Sequence, residues 1–377
     1  MNERCSGAMT HKERFLNALN RKSVDLLAYG DTLWPETRKK YVGEDNLMED
    51  EDVCTHFDMS WRHGGWLNST ADLDFESKII EETEETTLQL NGNWAKLRQW
   101  KNKSGTPEHV DFTVKDRSGW EGKIRSHLLD VDRRRIPFED YRIQKRRTAK
   151  ENRAFCWSGV APFEQMHPVC GHEYMLMGMA LDPDWVKDMV NTYADFTIKH
   201  LEVLFSEEGK PDAMWFYEDM GFKEKPFMSP AMYKEIIQPG HKKLFDYAHS
   251  SGLKVMVHSC GFVEPLVPSL IEAGMDCLQS MEVKAGMNMP RLAKQFGDKI
   301  SFCGNIDIRV IASNDKKKID EELNRKIIPV LETGAGYILH SDHSIPPDVE
   351  HETLHYFFDH GQQITKRLRK RKKKATF

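Results

Sequence analysis

A chain of 377 residues can bury a substantial core, as two average domains or as one α/β barrel with insertions. Its net charge of −5 gives no reason to expect nucleic acid or an anionic membrane as a partner. No apolar stretch is long enough to span a membrane, no secretory signal is visible, and the seven cysteines show no repeated spacing. We therefore predict a cytoplasmic protein with reduced thiols.

The N-terminal third predicts a helix and a short strand, followed by a segment of different character. Thr10 is a candidate N-cap for the first helix, and residues 26–29 have the composition of a strand. Between residues 75 and 145, short alternating runs separated by turn residues are typical of β-hairpins. These runs are 86–90, 95–100, 109–114 and 120–124. We predict that residues 75–145 form an antiparallel β insertion or lid within a single domain.

From about residue 150 the chain alternates regularly between short apolar runs and amphipathic segments. Ser229 and Pro230 are typical of an N-cap followed by proline at the first helical position. The predicted strands are 155–160, 213–217, 254–257, 277–280, 300–303 and 337–339. The predicted helices are 184–205, 229–250, 263–273, 288–296 and 316–332. Strands separated by helices over so long a run imply a parallel sheet, closed or open.

The C-terminal segment 366–374 contains eight lysines and arginines in nine positions. Such a block could contact phosphates, which makes a nucleic-acid-binding protein one alternative function. A solvated, frayed terminus explains the same composition more simply. We therefore treat residues 366–377 as a basic tail and do not expect nucleic acid to bind.

Histidine, cysteine and carboxylate side chains recur where the predicted strands end. In parallel α/β folds, the loops that follow the carboxyl ends of the strands carry the active site. The residues at these positions are Glu218, Asp219, His258, Cys260, Glu282, Cys303, Asn305, Asp307, His340, Asp342 and His343. Their recurrence predicts a catalytic or metal site at one rim of the sheet.

His258 and Cys260 form an H-x-C pair directly after an apolar run. In an extended segment, residues i and i+2 project to the same side, so the imidazole and the thiol can reach one point. This pair suits Zn²⁺, with His343 as the best third ligand and Glu282 in the fourth place at rest. Three protein ligands would leave a position that substrate can occupy. Less favoured ligands are His340, Cys303 and Asp342.

Glu218 and Asp219 are the first candidates for catalytic residues. Paired carboxylates at a strand end could orient a substrate, act as acid or base, or support the metal ligands. The simpler alternative is that one of them caps the following turn. Asn305 and Asp307 complete the candidate catalytic set. Core packing explains most tryptophans of the N-terminal third, although some could line an aromatic pocket: Trp61, Trp66, Trp94, Trp100 and Trp120.

Several segments resemble the uroporphyrinogen decarboxylase superfamily. They are residues 14–19 followed by Val24 and Asp25, then 254–261, 271–276, 302–307 and 337–339. The resemblance extends over about residues 10–360 and implies a (β/α)8 TIM-type barrel, so we predict one barrel domain over residues 1–377. Residues 29–41 lack the arginine-rich motif with which the true decarboxylases bind the carboxylates of their substrate.

The H-x-C pair is similar to that of the zinc-dependent methyltransferases of this superfamily, which exchange methyl groups with a corrinoid protein. In those enzymes a later cysteine follows, and this chain has His343 in its place. The resemblance implies a methyltransferase acting between a small methylated substrate, a methoxy compound or a thiol, and cobalamin carried by a partner protein. The predicted insertion and the aromatic residues favour a methoxylated substrate and O-demethylation. The alternative is a metal-free decarboxylase or lyase in which Asp219 and His343 handle protons.

Overall fold

The computed structural model describes residues 8–102 and 107–368. Its central element is a sheet of eight parallel strands in the order β1-β12-β11-β10-β9-β8-β7-β2. The strands are β1 Ala28–Tyr29, β2 Trp61–Gly64, β7 Ala154–Val160, β8 Ala213–Tyr217, β9 Lys254–Ser259, β10 Cys277–Ser280, β11 Ser301–Gly304 and β12 Tyr337–Leu339. The sheet curls into a nearly closed barrel, whose edge strands β1 and β2 are joined by a hydrogen bond from the Ser60 amide to the Tyr29 carbonyl. The predicted TIM-type barrel is confirmed.

Helices link the strands and cover the barrel. They are α1 His11–Leu19, α2 Pro35–Gly43, α3 Val53–His56, α4 Arg117–Lys123, α5 Phe138–Glu151, α6 Pro162–Leu181, α7 Pro183–Glu208, α8 Pro230–Met232, α9 Gln238–Ser250, α10 Val267–Ala273, α11 Met289–Phe296, α12 Ile308–Ile311, α13 Lys316–Glu332 and α14 His351–Gln362. Thr10 caps α1 through a reciprocal pair of bonds with Glu13, and Ser229 caps α8 as predicted. Among the described residues, no helix is both long and apolar enough to cross a membrane.

The predicted β insertion is confirmed, and its extent is smaller than residues 75–145. Four antiparallel strands form a separate sheet: β3 Lys78–Glu82, β4 Thr86–Leu90, β5 Ala95–Trp100 and β6 Glu108–Phe112. The predicted strand 120–124 is wrong, because α4 occupies this segment. Asp116 caps α4 by accepting the Gly119 amide at 2.9 Å, and the buried Trp120 indole bonds to Asp188 at 2.7 Å. The prediction for the basic tail lies outside the described residues from position 369 onward.

The amino end of the barrel is filled with side chains. Alternate strand residues point inward, and the lower inward positions form one buried cluster with the apolar face of α1. Its members are Phe15, Ala18, Leu19, Ala28, Trp61, Ala154, Cys156, Ala213, Met256, Cys277, Cys303 and Ile338. Cys303 therefore packs in the apolar plug and not at the rim. This plug fills the amino end of the barrel, and the polar mouth lies at the carboxyl ends of the strands.

Candidate active site at the barrel mouth

The inward positions directly above the apolar plug carry polar and aromatic side chains. Two residues after Met256 comes His258, and two residues after Ala213 comes Trp215. The same step of two leads from Trp61 to His63 and from Cys277 to Gln279. Because side chains alternate along a strand, each of these residues lies on the inner face above its apolar neighbour. The alternation of side chains along the strands thus places polar residues at the mouth of the barrel and apolar residues in the plug below it.

Asp219, His258 and Cys260 converge at this mouth. Their ligand atoms lie within 4.8 Å of one another, and all three residues are half-buried. The His258 Nε2 atom lies 3.4 Å from Cys260 Sγ and 3.7 Å from the nearer oxygen of Asp219. The predicted H-x-C pair therefore does bring imidazole and thiol together. The third member is a carboxylate from the neighbouring strand end.

The position of Asp219 is determined by two hydrogen bonds and by a close backbone contact. Its Oδ1 accepts the Cys260 amide at 2.6 Å, and its Oδ2 accepts the Tyr217 hydroxyl at 2.8 Å. The loops after β8 and β9 touch at Gly221 and Gly261, where a Cβ on Gly261 would lie 2.4 Å from the Gly221 carbonyl carbon. Gly261 also has φ of +71°, so glycine is required here for both reasons. This contact holds the carboxylate beside the thiol.

Burial determines the charge state of the cluster. It lowers the pKa of His258, although the nearby Asp219 acts in the opposite direction. Burial, with the charges of Asp219 and Glu282, raises the pKa of the Cys260 thiol. A neutral imidazole and a carboxylate beside a thiol form the mixed N, O and S donor set that suits zinc, and an ion there would favour the thiolate. The residues present therefore fit a zinc ion.

Aromatic rings and a neutral histidine surround the cluster. The rings of Trp215 and Tyr217 pack against His258 at centroid distances of 5.3 and 5.4 Å. Trp215 also contacts His63 at 5.2 Å and the exposed Trp66 at 5.9 Å. Sequence reasoning missed His63 and Trp215, although the step of two from Trp61 to His63 could have indicated the former. These rings form one wall of the mouth.

Two hydrogen bonds hold the His63 imidazole in a neutral form. The Trp61 indole donates to its Nε2 at 2.9 Å, and its Nδ1 lies 2.6 Å from the Ser158 hydroxyl. Desolvation inside the barrel, followed by the proximity of His340 and His258, lowers the pKa of His63 to about 4. His63 is therefore an uncharged ring near pH 7, and both of its nitrogens are already hydrogen-bonded within the protein.

A cavity of about 480 Å³ lies beside the seam between β1 and β2. Asp31, His63 and His340 are among its lining residues. The Asp31 side chain is fully buried, accepts the Ser341 amide at 2.8 Å and lies 3.7 Å from His340 Nε2. Burial raises the pKa of Asp31, and the proximity of His340 opposes that shift. The volume is sufficient for a small organic molecule.

Glu218 lies next to Asp219 in sequence but not in the cluster. Its side chain is fully buried and accepts the amides of Phe163 and Glu164 at 2.9 and 3.0 Å. The His241 imidazole lies 2.5 Å from the same carboxylate. Glu218 thus binds the first turn of α6, where a negative charge is favourable, and its oxygens are occupied by the fold.

The polar residues after β11 and β12 are likewise occupied by the backbone. The buried Asn305 bonds to the Met281 carbonyl at 2.6 Å and to the Met289 amide at 3.1 Å. Asp307 caps α12 and pairs with Arg309 at 2.7 Å. Asp342 accepts the amides of Val283 and Ile308, each at 2.8 Å. The structure therefore does not bring Asn305 or Asp307 into the cluster.

The two remaining predicted ligands lie near the cluster without belonging to it. Glu282 is half-buried, and its carboxylate accepts the Gly261 amide at 3.0 Å. His343 is exposed and stacks on Trp34 at a centroid distance of 6.2 Å. The carboxylate of Asp219, which the sequence indicated as a catalytic group, occupies the third place beside His258 and Cys260.

Comparison with solved structures shows the same fold in a methyltransferase from Methanosarcina mazei. The two chains are 13% identical with a TM-score of 0.64, and the match covers 94% of this chain and 99% of the other. A Xaa-Pro dipeptidase is far less similar, with 14% identity, a TM-score of 0.30, and coverage of 63% and 66%. A search of curated proteins gives no match.

A family comparison agrees with the barrel and with the segments that carry the H-x-C pair. The family model described as uroporphyrinogen decarboxylase (URO-D) matches residues 144–364, which is more than half of the chain. The matched region contains all eight residues predicted for the site, from Glu218 to His343, and the inner strands β7 to β12. The chain belongs to the uroporphyrinogen decarboxylase family.

Proposed function

We propose that this protein is a zinc-dependent methyltransferase that moves a methyl group between a small methylated substrate and a separate corrinoid protein. The observation that carries the proposal is the convergence of Asp219, His258 and Cys260 within 4.8 Å at the open end of the barrel. Membership of the uroporphyrinogen decarboxylase family and the fold shared with a protein described as a methyltransferase support it.

In this proposal His258 Nε2, Cys260 Sγ and an Asp219 oxygen hold the metal. When bound, zinc supplies a Lewis acid for the heteroatom that carries the methyl group. The Tyr217 hydroxyl bonds to the second Asp219 oxygen and prevents the carboxylate from rotating away. The sequence also predicts Glu282 and His343 as ligands, but neither lies in the cluster, and His343 would have to leave Trp34 to reach the ion.

The surroundings favour a flat, methoxylated substrate. Trp66 and Trp215 present aromatic surfaces at the mouth, and the neighbouring His63 ring carries no charge near pH 7. Methyl transfer would break the carbon–oxygen bond of the substrate and leave its electron pair on oxygen. The methyl group would pass to cobalt(I) of the partner's corrinoid, and a proton from solvent would convert the oxygen to the hydroxyl of R–OH. The aromatic wall would limit the access of water to the transferring group.

The test uses purified, zinc-loaded protein with free cob(I)alamin as a surrogate acceptor and a panel of methoxylated aromatic compounds. We expect cob(I)alamin to convert to methylcobalamin, followed by its visible spectrum. Cys260→Ala should abolish the conversion, because it removes the thiol from the cluster. Cys170→Ala is the matched control, since that buried thiol bonds within α6 and faces no other member of the site.

Two results would overturn the proposal. One is a wild-type protein that binds no zinc at the mouth even when the ion is added. The other is a metal-free preparation that releases carbon dioxide from a carboxylated substrate, which the decarboxylase alternative requires.

A further inference from the structure

A second cluster of ligand atoms involves three histidines that take no part in the barrel mouth. His56 ends α3, while His351 and His355 lie one turn apart in the first turns of α14. Residues at i and i+4 lie on the same face of a helix, so both imidazoles of α14 can face His56. The three residues are half-buried, and one ligand atom of each lies within 4.8 Å of the other two.

His56 is hydrogen-bonded through both of its ring nitrogens. The Nδ1 atom of His56 lies 3.0 Å from a Glu51 oxygen, which places the proton on Nδ1 and leaves Nε2 as an acceptor. That Nε2 atom accepts a hydrogen bond from Nε2 of His351 at 2.7 Å, so an ion bound there would replace this proton. A carboxylate that orients an imidazole from behind is the usual second partner of a metal-binding histidine. Glu51 is in that position.

We propose that His56, His351 and His355 bind a divalent transition-metal ion, for which zinc is the probe. Imidazole nitrogen is a good ligand for zinc, copper and nickel. Zn–N distances of about 2.0–2.1 Å place two tetrahedral ligands roughly 3.3 Å apart, so the two Nε2 atoms need to separate by only about 0.6 Å. Because the three histidines are only half-buried, water could occupy the fourth coordination position of the ion.

The position of the cluster suggests what the ion would do. The edge strands β1 and β2 do not pair as a ladder, and α3 lies in the connection between them. Phe358 of α14 packs on Tyr29 of β1 at 5.0 Å and on Phe57, next to His56, at 5.9 Å. An ion shared by α3 and α14 would tie this connection to the last barrel helix and stabilise the seam.

The test is made in the Cys260→Ala background, so that the mouth site proposed above does not contribute. We expect this protein to bind one zinc per chain in a competition titration with a chromogenic chelator, and added zinc should raise its melting temperature. His355→Ala in the same background should lower the affinity at least a hundredfold and abolish the thermal shift. His360→Ala, on the same helix but paired with Asp320, is the matched control and should change neither.

His351→Gln provides a second variant in case alanine at 355 prevents folding, because the amide retains a hydrogen-bonding group beside His56; circular dichroism checks both. Zinc affinity unchanged in both folded variants, or no zinc binding in the Cys260→Ala protein, would overturn the proposal. The two metal proposals fail separately. If the wild type binds one zinc and Cys260→Ala loses it, only the proposal of a mouth site stands. If the wild type binds one zinc and Cys260→Ala still binds it, only the proposal of the histidine site stands.

Discussion

Two parts of the same rim carry similar residues and differ in what those residues contact. After β11 and β12, the side chains of Asn305, Asp307 and Asp342 bond to backbone amides and carbonyls of neighbouring loops. After β8 and β9, the ligand atoms of Asp219, His258 and Cys260 face one another. Asp219 also accepts the Cys260 amide and the Tyr217 hydroxyl, so hydrogen bonds to the protein do not by themselves separate the two groups. The difference is that the ligand atoms of the second group converge on one point, where an ion can bind.

The same contrast separates Glu218 from Asp219. Consecutive residues of an extended segment point to opposite sides. The Glu218 side chain is turned outward to the start of α6, where two amides and His241 surround it. The Asp219 side chain is turned to Cys260 and Tyr217 at the mouth. The direction in which each side chain points therefore determines the different roles of these two adjacent carboxylates.

The prediction with the largest expected effect tests the proposed metal ligand Cys260 at the barrel mouth. Cys260→Ala should reduce methyl transfer to cob(I)alamin at least a thousandfold, about 4 kcal/mol of barrier, because the thiol is a proposed ligand. Co²⁺ added to the wild type should give a thiolate-to-cobalt absorption band, and the variant should lack it. The band reports only the thiol, so zinc at the histidine cluster does not interfere. Activity retained within tenfold would contradict the proposed role.

The next largest effect tests whether Glu218 stabilises the fold. Glu218→Gln should lower the free energy of unfolding by about 3 kcal/mol, because a buried acceptor of two amides becomes partly a donor. Urea denaturation measures this change. The control is Glu272→Gln on the exposed face of α10, where we expect less than about 0.5 kcal/mol. Equal small changes in the two variants would show that Glu218 is not structural.

Asp219→Asn should give the opposite result to Glu218→Gln. We expect turnover to fall at least tenfold, about 1.4 kcal/mol of barrier, while the melting temperature stays nearly unchanged. Asp342→Asn is the comparison variant, and it should lower the melting temperature because the buried carboxylate accepts two amides. If Asp219→Asn destabilises the protein as much as Asp342→Asn, the carboxylate at the mouth serves the fold.

The smallest effect concerns His343. Because this side chain is exposed and stacked on Trp34, His343→Ala should change zinc affinity at the mouth by less than about threefold, roughly 0.7 kcal/mol. Competition titration of Co²⁺ and Zn²⁺, read from the thiolate band, measures it. A loss of tenfold or more would instead identify His343 as the third ligand that the sequence predicts.

Much of the fold and part of the site could be predicted from local patterns. Apolar runs alternating with amphipathic segments indicated the parallel strands from β7 to β12, and Thr10 and Ser229 marked helix starts through their side-chain oxygens. The H-x-C pair could be identified because residues two positions apart in a strand project to the same side, so the spacing alone places their side chains together. The helix at Arg117–Lys123 was missed because it also depends on the burial of Trp120 and on its bond to Asp188, which lies 68 residues away in the chain.

Which residues can meet within one strand follows from the amino-acid sequence, because the period of two in a strand is local. Which residues meet between strands depends on how the chain packs in three dimensions. The contact of the β8 and β9 loops at Gly221 and Gly261 places Asp219 beside Cys260. The packing of α14 against α3 brings His56 to His351, which lies 295 residues away in the chain. Such long-range proximity follows from barrel closure and side-chain packing, and neither leaves a periodic pattern in the sequence.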